Sequence, residues 1–156
     1  MDADFINPFL NSTINVLKTM AQTEVFPQKP TVKNHKKCIG DITGIIGMAS
    51  ESLSGSLVLS FSKPCILHIL AKMFNEPVKD TIDDDVVDAV GEITNMICGG
   101  VKAELSKKDY TFNLATPTMI KGKGVEISYQ NSSPTIVIPF KTAHGDFVIE
   151  ANLVAR

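Results

Sequence analysis

The chain has 156 residues, of which 44% are apolar and 21% charged, and a formal net charge of -2. This balance suits a single globular domain over residues 1–156 with a real core, and it excludes the disordered class. No basic block is longer than Lys36-Lys37 or Lys107-Lys108 and no apolar run reaches membrane-spanning length, so neither nucleic acid nor a membrane is expected as a partner.

The opening "MDADFINPFL" lacks the basic start and long apolar run of a signal peptide, and a cytoplasmic protein is expected. Residues 4–21 then place Ile6, Phe9, Leu10, Thr13, Val16, Leu17 and Met20 on one helical stripe, which predicts an amphipathic first helix. "FPQKPTVKNHKK" carries two prolines and a charge cluster and reads as a loop entering an edge strand. "CIGDITGIIGMAS" and "SGSLVLSFS" are β-rich runs separated by "ESLSG", and they predict an antiparallel hairpin. A second, shorter helix follows, opened by a capping Ser62 with Lys63-Pro64 and stopped by Asn75-Glu76-Pro77.

Thr81 and Asp84 have the spacing of a capping box, and Asp83, Asp84 and Asp85 stand where a helix dipole favours negative charge. A long third helix is therefore expected from near Ile82 to about Lys107. Beyond Asp109, "TPTMIKGKG", "VEISYQN", "TIVIPFKT" and "DFVIEANLVA" predict three or four further strands, with "KGKG" as a hairpin turn and not a phosphate loop. Cys38, Cys65 and Cys98 are odd in number, widely spaced and without a C-x-x-C pair, and they read as reduced, mostly buried thiols. The three histidines are scattered, and no metal ligand set is expected.

The third helix carries the chemistry. On a wheel of about 100° per residue, Val86, Val90, Ile97, Val101 and Leu105 gather in one sector with Ile93 at its margin. Asp88, Glu92, Asn95 and Gly99 share a narrow sector opposite, spaced so that neighbouring side chains can act on one external object. Glycine costs on the order of 1 kcal/mol inside a helix, so "ICGG" needs a reason, and a partner's backbone approaching at Gly99 is one. On spacing alone a solvated face, with Gly99 and Gly100 packed under a neighbouring strand, is the plainer reading of the stripe.

Asp88, then three residues, then Glu92-x-x-Asn95 resembles the signature of the CheC/CheX/FliY family of bacterial chemotaxis phosphatases. "GEITNMICGGVKAEL" is similar to the long helix of the CheX branch, "SGSLVLSFS" to its central strand and "TPTMIKG" to the strand entry after that helix. The resemblance implies an α+β, CheC-like fold: a mostly antiparallel sheet of about six strands, two long helices on one face and a third shorter helix. It implies hydrolysis of the phospho-aspartate of a CheY-like response regulator, with Asn95 positioning the attacking water and Glu92 pairing with a receiver-domain lysine. Mg2+ is expected on the receiver, with no cofactor held by this chain. Asp88, Gly91 and Gly99 are expected at the partner surface, with helix-to-sheet packing an equal alternative for Gly91, and a homodimer by sheet extension is implied.

The family is built as an internal duplication, and "LNSTINVL" aligned on "VGEITNMI" sets Ser12 opposite Glu92 and Asn15 opposite Asn95. Serine cannot supply the ionic contact, so one working site per chain is expected. The alternative is a non-catalytic module that docks a receiver domain, as a flagellar-switch relative or an adaptor would; Glu92 would suffice for that, whereas Asn95 is needed only by the enzyme.

Overall fold

The computed structural model describes residues 3–34, 37–129 and 131–156. Helix α1 (Ala3–Ala21) is followed by the two-residue strands β1 (Phe26–Pro27) and β2 (Thr31–Val32), the hairpin β3 (Ile42–Ala49) and β4 (Leu53–Phe61), and helices α2 (Lys63–Phe74) and α3 (Asp84–Ser106). Strands β5 (Asn113–Leu114), β6 (Thr118–Lys121), β7 (Ile136–Thr142) and β8 (Gly145–Ala155) complete the chain. The sheet is antiparallel throughout, in the order β1-β7-β8-β4-β3-β5, with β2 also on β7 and β6 also on β3.

Among the described residues eight strands stand where about six were expected. Pro27 and Pro30 break the predicted edge strand into β1 and β2, since proline has no ladder donor to give. "VEISYQN" forms no strand among its described residues, apart from one bridge between Lys37 and Glu126. After the bend at Gly122–Gly124 the chain turns to the segment at Cys38, whose N–H donates to the Val125 carbonyl at 2.7 Å, and not back onto β6 as a hairpin would.

Register sets which side chains meet. Leu57, Leu59 and Phe61 of β4 pair with Ala151, Ile149 and Phe147 of β8 and with Ile46, Gly44 and Ile42 of β3. All of these side chains share the face that the helices cover, because alternate residues of a strand point the same way. Phe147 stacks with Phe61 at 5.0 Å and with Phe140 at 4.8 Å. A Cβ on Gly44 would meet Thr94 Oγ1 at 2.6 Å, so a side chain there would push α3 off the sheet.

The opposite face is polar but covered. Glu150 and Lys33 form a buried ion pair at 2.7 Å, and Thr43 and Ser60 share a hydrogen bond at 2.9 Å. The Asn152 amide donates to Thr135 Oγ1 at 3.1 Å and its carbonyl accepts from Asn131 Nδ2 at 3.0 Å. The chain around residues 131–135 is thus tied down by side chains, beside one backbone bond from the Lys33 N–H to the Thr135 carbonyl at 2.8 Å.

The starts of α2 and α3 use different groups from those the sequence suggests, while α2 stops where it is expected to. Asp83, not Thr81, caps α3: its carboxylate accepts from the Val86 N–H at 3.0 Å. Ser62 makes no side-chain cap at α2; the Asp41 carboxylate accepts from the Lys63 N–H at 2.6 Å instead. Asn75 ends α2 in the left-handed region at φ 51°, and its N–H closes the last turn. Helix α1 lies beside α3, where Ser12 Oγ donates to the Ile97 carbonyl at 2.6 Å. Among the described residues no helix is long and apolar enough to cross a membrane.

Candidate active site

Helix α3 has one fully committed face. Val86, Val90, Ile93, Ile97, Val101 and Leu105 are all buried, which fixes the rotation of the helix about its own axis. Thr94 belongs to that side too: it is buried, and its hydroxyl donates to the Val90 carbonyl at 2.8 Å. The helix is also fixed at its start, where Asp83 accepts from Lys79 Nζ at 2.9 Å as well as from Val86. Those two bonds, the ammonium first, hold the Asp83 carboxyl below its ordinary value.

With the apolar side fixed, Asp88, Glu92, Asn95 and Gly99 are left exposed on the outer side. Asp88 and Glu92 stand one turn apart, a like-charge spacing that costs a few tenths of a kcal/mol in an isolated helix. Among the described residues neither carboxylate, nor the Asn95 amide, has a hydrogen-bond or ion-pair partner. Three polar groups are therefore held in line by a rigid element and left unengaged by the described residues.

The glycines of this helix separate by what surrounds them. A Cβ on Gly100 would come within 2.1 Å of Ser12 Oγ, so this glycine lets α1 and α3 approach closely. Gly91 is buried, and a Cβ there would lie 3.6 Å from Met119 Sδ of β6. This corrects the expectation that Gly91 belongs to a partner surface: the sheet covers it. Gly99 differs from both, because a Cβ there would meet nothing within 4 Å. The packing of the described residues gives no reason for a glycine at that position.

The remaining polar chemistry lies elsewhere. His35 falls outside the described residues, while His68 and His144 stack face to face at 3.8 Å with rings 8° from parallel. Among the described residues no group of three or more His, Cys, Asp or Glu is arranged to hold a metal ion. Cys38, Cys65 and Cys98 are free and buried. Burial pushes the Cys98 thiol up to about 12 and dominates in Cys65, also about 12, and in Cys38, about 11, where the neighbouring Glu150 carboxylate adds to it. None of them resembles an activated nucleophile.

The family model described as chemotaxis phosphatase CheX matches residues 42–141, well over half of the chain. The chain belongs to the CheX family. A CheC-like superfamily protein from Shewanella sp. PV-4 is 44% identical, with 99% of each chain covered and a TM-score of 0.92. The CheX of a CheX–CheY–BeF3–Mg2+ complex from Borrelia burgdorferi is 28% identical, again with 99% of each chain covered, at a TM-score of 0.78. The CheY-P phosphatase CheX of Thermotoga maritima is 24% identical over 127 residues, 81% of either chain. Among CheX chains, then, this one keeps a three-helix, antiparallel-sheet frame, and its outward acidic and carboxamide side chains stand on the long α3.

Proposed function

We propose that this CheX-family chain is a protein aspartyl-phosphate phosphatase acting on a CheY-like response regulator, with Glu92 and Asn95 as its working residues. The observation that carries the assignment is that both side chains point outward from a helix whose opposite face is fully buried, and neither has a partner among the described residues. Family membership and the likeness to a CheX that forms a complex with CheY support the choice of substrate.

The chemistry follows from what each group can do. An asparagine amide cannot accept a proton at neutral pH, but its carbonyl and NH2 can hold a water in line with phosphorus. The water oxygen bonds to phosphorus as the acyl-phosphate P–O bond breaks, which leaves inorganic phosphate and the free aspartate carboxylate. Such a reaction depends chiefly on alignment and charge neutralisation, so a positioned amide is sufficient equipment, as the water-orienting glutamine of small GTPases illustrates. Glu92 pairs with a lysine of the receiver domain and fixes the approach of α3. Asp88, one turn earlier, orients Glu92 or meets the partner, and Gly99 lets the partner's backbone come close. The acceptor aspartate and the Mg2+ belong to the receiver.

A homodimer by sheet extension goes with this reading. The exposed Phe26 and Val32 of β1 and β2 give that edge an apolar seam, and sedimentation of a Val32→Lys variant as a monomer is the expected result.

The deciding assay mixes catalytic amounts of the protein with a phosphorylated receiver domain. Asn95→Ala should slow phosphate release by about 100-fold or more while docking survives. Glu92→Ala should mainly weaken docking, by about 2 kcal/mol or roughly thirty-fold in affinity. Release that only scales one to one with added protein would assign the chain to the adaptor class and refute catalysis.

A further inference from the structure

The stripe on α3 is too small to hold a receiver domain by itself. A stable interface takes about 800 Å² from each partner, or roughly 20–30 residues a side, and four positions along a single helix supply a fraction of that. The partner must therefore rest on surface flanking α3. On the α1 side that surface is polar, with Asn11, Asn15 and Lys18 exposed.

The α2 side is different. A groove of about 410 Å³ runs between α2 and α3, its apolar walls formed by Leu67, Leu70, Ala71, Phe74 and Ala89. Phe74, at the end of α2, is 52% exposed, and Val78 in the following loop is 48% exposed. An aromatic ring left half in water beside an apolar groove is a common feature of a binding surface. The groove is also continuous with the stripe, because Asp88 lines it and stands one turn before Glu92. From Asp88 to Asn95 the helix rises only about 10 Å, well within the footprint of one small domain.

Charge narrows the occupant. Among the described residues Glu76, Asp85 and Asp88 stand at the rim with one cation, Lys79. That ammonium is already engaged by Asp83 at 2.9 Å and by Asp85 at 3.7 Å, so the rim faces outward as an acidic border round an apolar floor.

We propose that the α2–α3 groove is a second anchoring surface for the same receiver domain, taking an apolar side-chain cluster that stands beside a lysine or arginine, and that it selects which receivers the chain accepts. The inference rests on the assignment of Glu92 and Asn95 as the dephosphorylating face. In this arrangement the stripe supplies the reaction and the groove supplies the recognition. Receivers that carry an acidic residue at the matching place are turned away by the rim.

The test uses Ala71→Trp, which fills the groove, and Glu76→Lys with Phe74→Ser, which alter only exposed positions. Each is assayed by steady-state dephosphorylation of the receiver on which the wild-type chain is most active, and by titration with that receiver loaded with beryllofluoride and Mg2+. Thermal melts identify any variant that does not fold. The expected result is a KM and a Kd raised by about ten-fold or more with kcat unchanged, opposite to the pattern of Asn95→Ala. Unchanged KM in the folded variants, with turnover still lost in Asn95→Ala, overturns the groove assignment alone. Turnover that survives Asn95→Ala overturns the reading of the stripe instead. A change of sedimentation in Ala71→Trp with KM unchanged would give the groove to a second copy of the chain and also refute the proposal.

Discussion

Helices α1 and α3 lie side by side and align as echoes of one another, yet they put the echoed positions to different uses. On α3, Glu92 and Asn95 are both exposed and unpartnered among the described residues. On α1, the position matching Glu92 is Ser12, which is buried and donates its hydroxyl to the Ile97 carbonyl. Asn15 is exposed, like its counterpart Asn95, but its near neighbours on the helix are Asn11 and Lys18 and not a carboxylate. A carboxamide alone can hold a water; it cannot also fix a cationic partner. The contrast teaches that two helices of similar pattern can differ in use where rotation, exposure and charge differ, and that α1 serves here as the wall on which α3 is mounted.

The largest effect expected from disturbing this contrast comes from Ser12→Glu, which restores the missing carboxylate to the echo. The new charge would be buried against a backbone carbonyl, at a cost of at least about 3 kcal/mol, and should lower the midpoint of a denaturation curve without adding a second activity. A rise in turnover per chain would show that the wall is a dormant site after all.

The two adjacent glycines give a smaller and more discriminating pair. Gly100→Ala drives a methyl into Ser12 Oγ and should destabilise the protein by about 1–3 kcal/mol. Gly99→Ala meets nothing and should stabilise it by about 0.5–1 kcal/mol, the ordinary helix preference of alanine, while weakening the grip on a receiver domain. Denaturant curves read the first difference and a binding titration the second. Equal effects of the two changes would remove the distinction between the inner and the outer faces of α3.

The smallest effect near neutrality concerns Cys98, one residue from Gly99 but on the inner side. Its folded-state thiol ionises near 12, above the unfolded value of about 9.0. The folded state therefore holds the proton more tightly; its contribution to stability is complete below pH 9 and is lost as pH rises from there toward 12. Alkylation of native Cys98 at pH 8 should accordingly be slow, and should become fast only in denaturant.

Much of this arrangement is legible in the sequence because periodicity survives folding. The apolar sector of α3 and the polar stripe opposite it are read directly from 100° steps, since a helix that buries one face must expose the other. Caps are less legible: Thr81, Asp83 and Asp84 all suit a helix start, and the structure chooses Asp83 through Lys79, a contact across the turn before the helix. "VEISYQN" misleads for a different reason. Val125, Ile127 and Tyr129 are half-buried in alternation with exposed Glu126 and Ser128, so the pattern correctly reports one-sided burial. Alternation does not say whether backbone ladders or side chains hold the segment down. Gly91 fails similarly, because nothing local distinguishes a glycine beneath Met119 from one left open for a visitor. The α2–α3 groove has no signature within either helix alone; it exists only in the angle between them.

The Ser12 hydroxyl adds a second donor to a carbonyl two residues beyond Asn95, from an element more than eighty residues away in the chain. The turn that carries Asn95 is thereby clamped to a helix from the beginning of the chain, and a motion that loosens it must also move α1. Heat or denaturant should disturb the α3 stripe only when the whole core opens, so any activity it carries and global order should be lost in a single step.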